Sequence, residues 1–213
     1  MKAYQRLLSY VKIFTPSNEE SSSSPSSQCQ FDLARLLVEE LKDLGISDVS
    51  LDEHCYVYAH LPATKGLEHC KALLYRSYGY VSDFCDHVVT PVVTEDYDGK
   101  ELPLGTSGRT LSPEMFPHLA SLAGRTLITS DGTTILGADD KAGIAEIITA
   151  LEHILTEKIP HGPLCVAFTP DEEIGMGPAH FDVKKFGADY AYTLDGDTEG
   201  EIQYENLTPA VQK

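Results

Sequence analysis

The sequence is poor in positive charge. Its 213 residues carry 16 Lys and Arg against 33 Asp and Glu, a formal net charge of −17. Such a chain repels phosphate backbones and anionic lipid surfaces, so nucleic acid and membrane drop out as partners. Cysteine is scarce and unpatterned. Cys29, Cys55, Cys70, Cys85 and Cys165 make an odd count at irregular spacing, with no CxxC. That excludes a disulfide framework or a zinc knuckle and reads as reduced thiols. A long apolar run is also missing. The opening MKAYQRLLSYVKIF interleaves charged and apolar residues and has no small-residue cleavage site, so it is neither a secretory signal nor a membrane span. No internal repeat occurs. These absences point to a soluble, cytoplasmic protein. What remains is ordinary globular composition, 42% hydrophobic and 23% charged, with chain enough for one sizeable core.

The apolar residues are periodic. Tyr4, Leu7, Leu8 and Val11 recur at helical spacing over 3–13, and Pro16 ends the pattern. Residues 17–28 (SNEESSSSPSSQ) read as a serine-rich surface loop. Phe31, Ala34, Leu37, Val38 and Leu41 share one face of a helix predicted over 30–44, with Gly45 as its C-cap. Short strand patterns follow at Val49–Leu51, Tyr56–Leu61 and Ala72–Tyr75. An acidic, loop-rich stretch fills 82–125. Beyond it the pattern predicts strands at Thr126–Thr129, Leu164–Phe168 and Tyr190–Leu194. A helix over 141–156 carries Ile144, Ile147, Ile148, Leu151 and Leu155 on one face. Strands alternating with helices predict an α/β layer fold.

Acidic residues stand where strands finish: Asp139-Asp140, Glu172-Glu173 and Asp195. Each has a plain structural explanation when taken singly. Asp139 or Asp140 could cap the helix that follows, Glu172-Glu173 could be a solvated turn, and Asp195 could open one. Taken together they form a different pattern. Ligands of open α/β sheets gather beyond the carboxyl ends of strands, and carboxylates collected there can share a divalent cation.

The flanking residues are more specific. Gly137-Ala-Asp-Asp-Lys-Ala-Gly143, Phe168-Thr-Pro-Asp-Glu-Glu-Ile-Gly175 and Tyr192-Thr-Leu-Asp-Gly196 resemble the central motifs of the peptidase T family of di-zinc aminopeptidases. Leu111-Ser-Pro-Glu-Met-Phe-Pro117, His161-Gly162 and His180-Phe-Asp-Val183 extend the likeness, which runs from Phe31 to Asn206. The resemblance implies a three-layer α/β zinc-peptidase-like catalytic domain with a central mixed sheet. Residues 1–213 would be its N-terminal part, ending before the lid domain and the C-terminal catalytic segment. It implies two Zn²⁺ per site and small peptides, tripeptides above all, as substrate. Asp139 would bridge the two ions, Glu173 would bind one and Asp195 the other, and Glu172 would be the general base. Composition leaves the oligomeric state open.

The sequence also departs from the family. A His-x-Asp motif is expected on an early strand, and alignment outward from Glu95-Asp-Tyr-Asp-Gly99 puts Ser77 at the histidine position and Gly79 at the aspartate position. His87 lies downstream and reads as a surface histidine. Leu74–Ser82 can be encoded as CTT TAT CGC TCA TAT GGA TAC GTC TCC. Read one base later, that DNA gives Phe-Ile-Ala-His-Met-Asp-Thr-Ser, the kind of motif the family uses. A local frameshift, restored near Asp83–Val88, would account for the substitution, and a second would account for Leu207–Lys213. Without imidazole, each ion would keep two carboxylates, whereas catalytic zinc normally has three protein ligands. The expectation is therefore a tripeptide aminopeptidase by family whose activity in this chain is impaired or lost. The alternatives are a non-catalytic remnant or a module that binds divalent cations or peptides.

Overall fold

A computed structural model of the chain describes residues 1–70, 72–77, 86–195 and 200–202, with the backbone alone for 72–77. The elements follow in chain order. Helices α1 (Ala3–Tyr10) and α2 (Gln30–Asp43) precede strands β1 (Asp48–Leu51), β2 (Val57–Leu61) and β3 (Ala72–Ser77). Short strands β4 (Pro91–Thr94), β5 (Leu102–Leu104) and β6 (Arg109–Leu111) lead to β7 (Leu127–Ser130). Then come α3 (Ala138–Thr156), β8 (Leu164–Thr169), α4 (Val183–Phe186) and β9 (Tyr192–Thr193).

The central sheet is mixed, in the order β1-β2-β8-β3-β9. Strand β2 runs antiparallel to β1 and β8, while β3 runs parallel to β8 and β9. Period-two alternation decides what each face buries. Val57 and Ala59 of β2, with Val166 and Phe168 of β8, point into the main core. There they meet Leu33, Leu37 and Leu41 of α2 and Ile144, Ile147, Ile148 and Leu151 of α3. Tyr56, Tyr58 and Ala167 point the other way and pack on Phe186 of α4 and on Phe181. The sheet is thus covered on both faces, thickly by α1–α3 and thinly by α4 with its flanking loop. Each fully buried Leu, Ile or Phe stabilises by roughly 1.5–3 kcal/mol, so the α2–sheet–α3 layer dominates.

Helix α2 forms where its apolar stripe predicts it, and it stops where Gly45 takes φ +90° and the Ile46 N–H donates to the Leu41 carbonyl at 3.1 Å. Other expectations need correction. Helix α1 ends at Tyr10 instead of running on to residue 13. The stretch 82–125 is not all loop: β4 pairs antiparallel with β7, and β5 with β6. Their apolar residues are too few to show a period, and pairing with a distant partner defines them. The final strand shrinks to Tyr192–Thr193. The serine-rich stretch 17–28 is not all surface, since Ser17, Pro25 and Ser26 are buried.

Candidate metal centre

The parallel pairing decides where the site lies. Because β3, β8 and β9 run in one direction, their carboxyl ends open on one edge of the sheet. Ser77 ends β3 opposite Thr169, the last residue of β8. The turn bearing Glu172 and Glu173 follows β8, and Asp195 follows β9 by two residues. Gly79 and the segment 78–85 lie outside the described residues, as does Leu207–Lys213.

Asp139 and Asp140 arrive from the other direction, in the first turn of α3. Gly137 opens that helix at φ 68°, and the backbone at Asp139 and Asp140 departs from helical angles. Asp140 is buried, and its Oδ1 accepts from the Gly143 N–H at 3.3 Å. The capping explanation is therefore correct for Asp140, but it is not the whole account. One carboxylate oxygen from each of Asp139, Asp140 and Asp195 lies within 4.8 Å of the others. Gly143 makes the junction: a Cβ there would stand 2.7 Å from Asp140 Oδ1 and 3.0 Å from the Leu194 carbonyl oxygen. The helix start can meet the end of β9 only because residue 143 has no side chain.

This donor set fits a divalent cation. Oxygen ligands sit about 2.0–2.6 Å from Mg²⁺ or Ca²⁺, so the oxygens sharing one ion lie within about 4–5 Å of each other. Three carboxylates this close repel in the absence of a counter-charge. The N-terminal end of α3 supplies part of that charge through its free N–H groups, and a cation would supply the rest. Among the described residues, no histidine joins the cluster.

The other expected residues are placed differently. Glu172 and Glu173 are exposed on a single 3-10 turn, Glu172–Ile174. Glu173 is not part of the aspartate cluster. It lines an open cleft of about 520 Å³ with Glu19, Ser24, Met176 and His180. The His180 ring stacks on His54 with centroids 3.9 Å apart. His87 is exposed, with its Nε2 3.2 Å from Thr133 Oγ1. Two buried charges next to the acidic motifs have no sequence signal. Lys141 is fully buried, and its Nζ donates to the Ile13 carbonyl at 3.0 Å. Asp171 is 2% exposed and accepts from the Ser26 N–H at 2.6 Å and from Gln30 Nε2 at 2.7 Å. Neither carries a periodic signal, because each sits among charged neighbours that read as solvated.

Comparison with known proteins follows the same outline. Residues 131–205, which include the aspartate and glutamate motifs, match the model of peptidase family M20/M25/M40. The chain is 50% identical over its whole length to a peptidase T of Bacillus licheniformis, of which it covers 52%. It spans about half the length of the curated relatives it matches. Among solved structures, a tripeptidase of Staphylococcus aureus superposes with a TM-score of 0.63 at 24% identity, covering 92% of this chain and 43% of that one. An M20 family metallo-carboxypeptidase of Sulfolobus solfataricus superposes with a TM-score of 0.52 at 18% identity, covering 91% and 37%. Over its full length the chain is similar to about half of a peptidase T, and its residues 131–205 are similar to peptidase family M20/M25/M40.

Proposed function

We propose that this chain carries the cation-holding half of a metallo-aminopeptidase site that releases the N-terminal residue of short peptides, tripeptides foremost. The mutual approach of Asp139, Asp140 and Asp195 carries the reading. The names of the relatives support the substrate class. Zinc is the metal we assign, two ions to the complete site, with Asp139 shared, Asp195 on one ion and Glu173 on the other. A bound divalent cation there supplies carbonyl polarisation and acidifies a water molecule. Glu172 opens the exposed turn, free to take a proton from the attacking water and return it to the departing amine. Glu19 and Glu173 make the cleft that they line acidic, a setting that suits the free ammonium of a peptide.

A second reading is cation binding without turnover. It is favoured by Ser77 and Gly79 at the positions of the family's histidine and aspartate, and by Glu173 standing outside the cluster. Tripeptide hydrolysis under saturating zinc, run beside a calorimetric zinc titration, separates the two. The wild-type chain should bind zinc and turn over slowly, and the pair Ser77→His with Gly79→Asp should raise both affinity and rate. No zinc uptake in either form sinks the metal centre. Uptake without any hydrolysis in either form sinks the peptidase reading and leaves the binding one.

A further inference from the structure

We infer that the serine-rich N-terminal segment is a brace that fixes the two site loops relative to each other, with Asp171 as its central positioning residue. Three donors converge on the buried Asp171 carboxylate. The Ser26 N–H donates to Oδ2 at 2.6 Å, and the Ser26 hydroxyl and Gln30 Nε2 both donate to Oδ1. Ser26 is itself held, since its Oγ accepts from the Asn18 N–H at 2.8 Å. Ser26 is 6% exposed and Gln30 is fully buried, so water cannot replace these bonds. A carboxylate is the one side chain able to accept from all three at once.

Asp171 also stands at the root of the glutamate turn. It adopts φ 59°, ψ 29°, a left-handed conformation that few residues with a Cβ take up. Its carbonyl accepts from the Met176 N–H at 3.0 Å, and the Glu172 carbonyl accepts from the Gly175 N–H at 2.7 Å. Holding the Asp171 side chain therefore orients the turn that presents Glu172 and Glu173.

The residues just before this segment reach the aspartate loop. The Ile13 carbonyl accepts from Lys141, the residue after Asp140. Cys29 stands between Ser26 and the body of α2. Burial pushes its thiol up, and Lys141 and Asp171 are both among the charges acting on it. Residues 13–30 thus touch the metal loop at one end and the glutamate turn at the other, and the spacing between the loops is set from outside the sheet.

The test is Asp171→Asn in the full chain, read by hydrogen exchange. An asparagine would oppose its own amide donors to those of Ser26 or Gln30. Exchange should quicken at least about tenfold in residues 170–178 and 24–30, the loss expected for charge-assisted bonds, while the α3 core at 144–151 stays protected. The double variant Asp171→Asn with Gln30→Glu should restore protection, because the new amide can donate to the new carboxylate. Ser26→Ala, a milder lesion, should give a smaller change in the same segments. Uniform acceleration across the chain, or unchanged exchange in 170–178, overturns the brace. A kinetic arm rests on the function proposed above: Asp171→Asn should lower kcat with little change in KM, and the double variant should recover it. Loss of KM alone would overturn the positioning role. Absence of hydrolysis in both the wild-type chain and the Ser77→His with Gly79→Asp form removes the peptidase reading, and the exchange result then decides the brace by itself.

Discussion

Gly143 holds a position that no other residue can fill without displacing a carboxylate, because its missing side chain is the space between Asp140 and Leu194. Gly143→Ala should weaken zinc binding by about 10–100-fold, the range for residues that orient metal ligands, with the helical circular dichroism signal retained. Unchanged calorimetric affinity would show that the cluster tolerates the shift. Arg6 is a different kind of single residue. It is 3% exposed and donates to Glu40 at 3.2 Å, Thr149 at 2.9 Å and Glu152 at 3.0 Å, tying α1 to both larger helices. Arg6→Ala should cost about 1–3 kcal/mol in urea unfolding, because it removes a buried guanidinium and leaves three half-buried acceptors without their donor. Glu152 adds a pH dependence. The hydrogen bond from the Met1 ammonium, joined by Arg6, holds its carboxyl below the usual glutamate range, against a smaller upward push from desolvation. A lowered folded value means stabilisation that is fully present above the unfolded value of about 4.3 and is lost as pH falls through the folded one. Glu152→Gln should therefore be less stable than wild type at neutral pH, and the gap should close on acidification.

At the level of elements, the residues that pack most densely are those whose periodicity was plain. Leu37 sits wholly buried in α2 against the sheet, and Leu37→Ala should cost roughly 2–5 kcal/mol in chemical denaturation. A cost under 1 kcal/mol would mean that the layer is not close-packed. Helices α2 and α3 were legible because Leu37, Leu41, Ile144 and Ile148 repeat at intervals that only a helix turns to one side. Strands β2 and β8 were legible as short, nearly continuous apolar runs, Tyr56–Leu61 and Leu164–Phe168. Strand β4 was not, since Pro91–Thr94 has no alternation of burial to announce it and becomes a strand only by pairing with Leu127–Ser130. Helix α4 escaped notice as well. Four residues are too short to show a period, and it stands because Asp182 accepts from the Lys184 and Lys185 N–H groups at 3.0 and 2.9 Å.

For the molecule as a whole, the large negative charge and the aspartate cluster act together. A cation that binds only the folded chain stabilises it by about 2.7 kcal/mol at a hundredfold excess over Kd. Zinc should therefore raise the Tm, a chelator should reverse the gain, and Asp195→Asn should abolish most of it. A Tm indifferent to chelator and zinc would argue against the cluster as a metal centre. Among the described residues no helix is long and apolar enough to cross a membrane.

The sequence by itself determined the layered α/β plan, the two large helices, the acidic residues at strand ends and the family resemblance, because periodicity and contiguous motifs are properties of the chain alone. Tertiary structure decided which carboxylates meet. Asp140 joins Asp139 and Asp195, and Glu173 faces the neighbouring cleft. It also turned a serine-rich stretch with every mark of a surface loop into a buried clamp on Asp171. Those outcomes depend on contacts between residues far apart in the chain, such as Asp140 with Asp195 and Ser26 with Asp171, and local patterning carries no trace of such pairings.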